Sequence, residues 1–226
     1  LSVRRRRYAA GAETVLVIGL GRFGAQVADS LTRLGHEVLA VDDNPDTVER
    51  WSHRFTHVVQ ADATDGEALR QLGVTDFQRA VVAIGTAVEQ SVLSVLALAE
   101  LGLPEIWGRA TSEQHAKILS AVGAHHVIFP EAAVAERVAN LIVSQLLDFI
   151  EIGNDVAIAK TRAPASFYGR RLGEIDARDA YGVTFLAVSR PDGTVLPIAP
   201  DMVITEDCAL VLEGSIDQVR RFATMS

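Results

Sequence analysis

Three glycines, Gly19, Gly21 and Gly24, stand at G-x-G-x-x-G spacing in the run Val17-Ile18-Gly19-Leu20-Gly21-Arg22-Phe23-Gly24. The chemistry this spacing supports is anion binding. Gly19 permits a tight turn, Gly21 lets the backbone approach a phosphate with no Cβ in the way, and Gly24 lets the following helix pack close to its strand. The first amides of that helix then face the anion, helped by the helix dipole. Arg22 adds a guanidinium that can grip a terminal phosphate. Its alternative is an ordinary exposed arginine of a first helical turn.

A second chemical group follows at a matching distance. Asp42 ends the apolar run His36-Glu37-Val38-Leu39-Ala40-Val41. A carboxylate there can accept from both hydroxyls of a nucleotide ribose. Further along, Asn44, Asp62-Ala63-Thr64 and Ile84-Gly85 each follow an apolar run. Asp62 and Thr64 read equally as base-recognising residues or as a helix N-cap. Ile84-Gly85 reads as a tight strand exit or as a point of close approach to a ligand.

An NAD-dependent oxidoreductase is the rival use of such a loop, because the phosphate-binding turn also serves hydride transfer. A Tyr-x-x-x-Lys pair is absent, since the two lysines, Lys117 and Lys160, follow Glu113 and Val156 at that spacing. No histidine pairs with a carboxylate near the expected nucleotide, and adjacent His125 and His126 read as a solvated loop pair. A single cysteine, Cys208, rules out an internal disulfide and a Cys/His zinc framework; its apolar surroundings suggest a buried structural thiol. The expected role of the nucleotide is therefore that of a ligand, not a substrate, and the chain is expected not to be an enzyme.

The elements that position these groups follow from an alternation of apolar runs and helical patterns. Strands are expected near residues 15–18, 36–41, 57–61, 80–84, 105–110 and 127–129, with helices between them and a long helix from Pro130 to about residue 149. Six short apolar strands joined by crossover-length connections specify an α/β fold, a doubly wound parallel sheet of Rossmann type, over residues 13–150. Its ligand belongs at the carboxyl ends of the strands, where all the candidate residues above lie. Residues 151–226 read as a smaller α+β domain. Its expected elements are a strand at 151–161, a helix at 172–180, strands at 183–189, 194–198 and 208–213, and a terminal helix capped by Ser215. A domain this small has a limited core, so dimerisation through it is physically reasonable.

The 226 residues are 49% hydrophobic and 22% charged, a globular balance. A net charge of -8 argues against a nucleic-acid partner. The one basic run, Arg4 to Arg7, reads as a solvated tail. No apolar stretch reaches the length of a membrane span or a signal peptide, so a cytoplasmic location is expected.

Taken together, these residues resemble the RCK or KTN family (regulator of potassium conductance, TrkA-N plus TrkA-C), cytosolic gating subunits of Ktr and Trk potassium transporters. The likeness rests on residues 17–24 and 35–42, on Val82-Ala83-Ile84-Gly85, and on Gly123-Ala124 with Pro130-Glu131. In the second domain it rests on Arg178, Tyr181-Gly182, Leu186-Ala187-Val188, Pro197, Pro200 and Glu206-Asp207. What the resemblance implies is a homo-oligomer, from a dimer to an octameric ring, peripheral on the inner face of the membrane. Exchange of ATP for ADP, or of NAD for NADH, would gate a separate membrane potassium-transporter subunit. It also implies that Phe23 belongs to the nucleotide-binding loop and that Arg109 stands near the phosphates. Glu131 would help hold a divalent cation between nucleotides, and Arg178 would contact cyclic di-AMP.

Overall fold

The computed structural model describes residues 13–143, 145–152 and 155–225; the Arg4 to Arg7 run lies outside them. The contacts divide the chain into two units between Pro130 and Glu131.

The first unit alternates strand and helix: β1 (Thr14–Ile18), α1 (Arg22–Arg33), β2 (Glu37–Asp42), α2 (Pro45–Ser52), β3 (His57–Gln60), α3 (Gly66–Gln71), β4 (Arg79–Val82), α4 (Val88–Glu100), β5 (Glu105–Arg109), α5 (Glu113–Ala121) and β6 (His126–Ile128). The strands form one sheet in the order β3-β2-β1-β4-β5-β6, and every pairing is parallel. This is the Rossmann-type doubly wound sheet. The order reverses between β1 and β4, which opens the crevice at their carboxyl ends.

Residue alternation along β1 explains both layers. Leu16 and Ile18 point into a core with Leu69 of α3, Val95 and Leu98 of α4 and Leu119 of α5. Val17 points the other way, with Ala28 of α1, Val38, Ala40 and Phe55. A strand covered on both faces needs apolar residues at every position, which is why this stretch shows no polar alternation. Caps set the helix starts. Asn44 Oδ1 accepts the amides of Asp46 and Thr47 with Pro45 at the first helical position, and Ser112 Oγ accepts the amide of His115. Such a cap is worth about 1 kcal/mol.

α6 (Pro130–Val143) is shorter than the expected helix to residue 149. The stretch 146–152 is instead β7 (Leu146–Ile152), which pairs antiparallel with β8 (Val156–Arg162). The expected single strand at 151–161 is thus the end of one strand and most of another, and the expected domain boundary at residue 150 falls inside β7. Backbone pairing decides the matter: just before β7 the amide of Gln145 donates to the carbonyl of Ala223, and β7 goes on to bond with β8.

The rest of the second unit comprises α7 (Ala177–Tyr181), β9 (Thr184–Ser189), β10 (Val195–Pro197), β11 (Ala209–Ser215) and α8 (Ile216–Ala223), with the sheet order β10-β9-β11-β8-β7. The expected helix at 172–180 is broken into a 3₁₀ turn, Leu172–Glu174, and α7, because Leu172 and Ile175 both turn into the core. Phe167 and Phe222 anchor that core with Tyr181 and Phe185 against them. Ser215 forms a capping box with Gln218, as expected. Cys208 is half-buried with its Sγ 3.1 Å from Thr205 Oγ1, so it is less enclosed than its apolar neighbours suggested.

Candidate functional site

The first turn after β1 is held by backbone and by a carboxylate. Gly19 has φ +87°, in the left-handed region, and its amide donates to the Val41 carbonyl at 2.8 Å. Gly24 is packed so tightly that a Cβ there would overlap the Gly19 carbonyl oxygen and lie 2.9 Å from the Ala83 Cβ. Gly21 is the opposite case, since a Cβ there would meet no atom within 4 Å. Its missing side chain serves no packing need inside the protein, and the space it leaves is open to a phosphate. The two outer glycines, Gly19 and Gly24, build the turn, and the middle one leaves open space beside it.

Asp42 lies at the end of β2 beside that turn. Its Oδ2 accepts the Leu20 amide at 2.6 Å and its Oδ1 accepts the Asn44 amide at 3.0 Å. Each carboxylate oxygen retains acceptor capacity, so the group can serve a ribose while fixing the loop. Asn44 is spent on capping α2, and presents itself to a ligand only at its exposed edge. Arg22 is exposed at the start of α1.

Asp62 and Thr64 do not cap a helix. Asp62 accepts both the amide and the hydroxyl of Thr64, at 2.9 and 2.7 Å, and these two bonds hold the Asp62 carboxyl below the usual carboxylate range. The cap of α3 is Asp65, which accepts the amides of Glu67 and Ala68. The Ala63 side chain is buried in the core, leaving only its backbone for a ligand. Ile84 packs against Gly19, with its Cγ1 3.1 Å from where a Gly19 Cβ would be.

Gly85 has a tenant from the protein itself. The Arg109 guanidinium lies across it, so that a Cβ would overlap Nη1 and lie 2.6 Å from Cζ. The same Cζ is 5.7 Å from the centre of the Phe23 ring, within cation–π range. The crevice thus gathers the glycine loop, Arg22, Phe23, Asp42, Gly85 and Arg109. Sequence reasoning had no view of the Leu20 amide as a partner of Asp42, nor of Arg109 lying over Gly85. It also passed over His115, a buried ring behind the carboxyl end of β5. There Nδ1 accepts the Thr111 amide at 3.3 Å, and Nε2 has no partner among the described residues. Burial pushes the His115 pKa down from its ordinary 6.5.

The family model of the TrkA-N domain matches residues 15–130, and that of the TrkA-C domain matches residues 156–225. The chain belongs to the TrkA-N/TrkA-C family. It is 36% identical over 208 residues to Ktr system potassium uptake protein C of Bacillus subtilis, covering 91% of this chain and 94% of that one. Ktr system potassium uptake protein A of the same organism is 35% identical, covering 91% of this chain and 93% of its own. Among solved structures, the GsuK channel bound to NAD superposes with a TM-score of 0.66 at 20% identity. That match covers 98% of this chain and 40% of the channel chain. It is a likeness of fold.

The two remaining expected residues, Glu131 and Arg178, both lie in the second unit. Glu131 is an exposed residue in the first turn of α6. Among the described residues no three His, Cys, Asp or Glu side chains gather as a metal site, so protein groups alone do not assemble one around it. Arg178, on α7 of the TrkA-C domain, is exposed and lines a shallow cavity of about 570 Å³ with Tyr181, Gln218, Arg221, Phe222 and Met225. Among the described residues no helix is long and apolar enough to cross a membrane.

Proposed function

We propose that this chain is a nucleotide-sensing regulatory subunit of a potassium uptake system. A nucleotide-binding domain occupies its first part and a regulatory, dimerising domain the rest. An adenine nucleotide places its phosphates on the Gly19–Gly24 turn and its ribose on Asp42, while Arg22 reads the terminal phosphate. ATP and ADP are the ligands the chemistry favours, with NAD and NADH as the alternative pair. The subunits assemble as dimers or a ring on the inner face of the membrane and act on a separate transporter subunit. Nucleotide exchange shifts the population of ring states in proportion to its differential affinity, about 1.4 kcal/mol for each tenfold bias.

The observation that carries this reading is the likeness to Ktr potassium uptake proteins across both domains and nearly the full length of those relatives, joined to a crevice whose middle glycine is open to a ligand. Other features support it. Asp42 is already oriented by two amides, and the crevice gathers two arginines beside the glycine turn. A divalent cation bridging nucleotides through Glu131 would draw most of its oxygens from phosphates. Cyclic di-AMP at Arg178 is the corresponding proposal for the second domain.

Mass spectrometry of the natively purified protein tests the reading by identifying the retained nucleotide and the subunit count together. An adenine nucleotide on an oligomer is the expected result. A monomer carrying none, and binding none on titration, would end it.

A further inference from the structure

The end of β5 reaches across the crevice in a way that gripping a phosphate does not itself require. Arg109 is the last residue of β5, Gly85 follows β4, and Phe23 stands in the first turn of α1. The guanidinium crosses Gly85 at the distance where any side chain would collide with it, and its cationic carbon is 5.7 Å from the Phe23 ring centre. The side chain therefore spans from β5, over the exit of β4, to the phosphate turn that follows β1. A dinucleotide bound to a 3-2-1-4-5-6 sheet straddles this line, with adenosine over β1 to β3 and its second nucleoside over β4 to β6.

We propose that Arg109, admitted by the bare backbone of Gly85 and steadied by the Phe23 ring, closes the second half of the crevice to nicotinamide nucleotides and selects a nucleoside polyphosphate. This rests on the nucleotide-site reading above and specifies its ligand class. The chemistry differs sharply between the two ligands at that point. The chain of phosphates in ATP or ADP brings anionic oxygens to the guanidinium, which then makes charge-assisted hydrogen bonds. A dinucleotide brings a second ribose and the nicotinamide ring, for which the guanidinium must move out of its contacts. In NAD+ that ring is also cationic, so like charge adds to the steric cost; in NADH only the steric cost remains. The expected order is ATP and ADP first, then NADH, then NAD+. Phe23 and Gly85 are positioning residues, acting through Arg109.

Calorimetric titration of the full chain, stripped of nucleotide, with ATP, ADP, NADH and NAD+ tests this. Wild type is expected to bind ATP at least about tenfold tighter than NAD+, and Arg109→Ala to shrink that ratio about tenfold by weakening ATP and strengthening NAD+. Phe23→Leu should move the ratio in the same direction by less and have no further effect in the Arg109→Ala background, whereas Phe23→Tyr should keep it. A merely structural Phe23 would instead weaken all four nucleotides alike. If Arg109→Ala does not fold, Arg109→Gln and Phe23→Leu carry the same comparison. Equal affinity of wild type for NAD+ and ATP, or a ratio untouched by the arginine substitutions, overturns the selection while leaving a nucleotide site. Failure of wild type to bind any of the four overturns the nucleotide-site reading itself.

Discussion

The carboxylate of Asp42 accepts the amide of Leu20 at 2.6 Å, so the residue that closes β2 also holds the glycine turn that follows β1. The two halves of the expected nucleotide contact are thereby one mechanical unit. Asp42→Ala should lower nucleotide affinity about tenfold or more, through the lost ribose acceptors and the loosened turn. It should also cost about 1–2 kcal/mol of stability, since the Leu20 and Asn44 amides lose their acceptor. Calorimetry and denaturant unfolding measure the two effects separately, and unchanged affinity would remove Asp42 from the site.

Arg22 stands exposed at the head of α1. Arg22→Ala should leave the unfolding midpoint within the small range typical of surface substitutions, about 0.5 kcal/mol. Its effect should fall on discrimination, with the preference for ATP over ADP reduced about tenfold. Competition binding with the two nucleotides checks it; a variant that separates them as wild type does would assign the terminal phosphate elsewhere.

Gly24 and Gly21 should respond differently to the same substitution. A methyl group at Gly24 overlaps the Gly19 carbonyl oxygen, so Gly24→Ala should destabilise the fold by about 1–3 kcal/mol and abolish binding. Gly21→Ala meets no protein atom and should fold normally while binding nucleotide weakly, because its methyl group enters the space meant for phosphate. Thermal melts of both variants beside their nucleotide titrations separate packing from recognition. Equal melts with equal loss of binding would contradict the assignment.

His115 gives a pH dependence of known sign. Its ring is buried, burial lowers its pKa from 6.5, and the Thr111 amide already occupies Nδ1. The unfolded chain takes up a proton near 6.5 where the folded chain resists it, so this contribution is complete above that value and is lost as pH falls from there through the lower pKa of the folded state. Urea unfolding at about pH 8 and about pH 5.5 should show a larger loss for wild type than for His115→Leu. A loss of the same size in the variant would place the titrating group elsewhere.

Much of the first unit was legible because its strands are buried on both faces and its helices announce their starts. Val15 to Ile18, apolar and partly β-branched just before the glycine turn, reads as a buried strand, and Asn44-Pro45-Asp46 and Ser112 state their caps in residue type alone. The segment after Pro130 was harder. Val134, Val138 and Ile142 recur at helical spacing, and Leu146 and Phe149 prolong that rhythm past the true end of α6 at Val143. The hairpin pairing of β7 with β8, and the sequence-remote bond from Gln145 to Ala223, override the local pattern. The site shows the same division. The spacing of Gly19, Gly21 and Gly24 carries its own meaning, whereas the reason for a glycine at 85 is a guanidinium 24 residues away.

Small-angle scattering of the purified oligomer at saturating ATP and then at saturating ADP, with the nucleotide recovered and identified afterwards, tests the central claim most directly. The account predicts two distinct scattering curves and each nucleotide recovered chemically intact. Superimposable curves, or a nucleotide consumed in the course of the measurement, would contradict it.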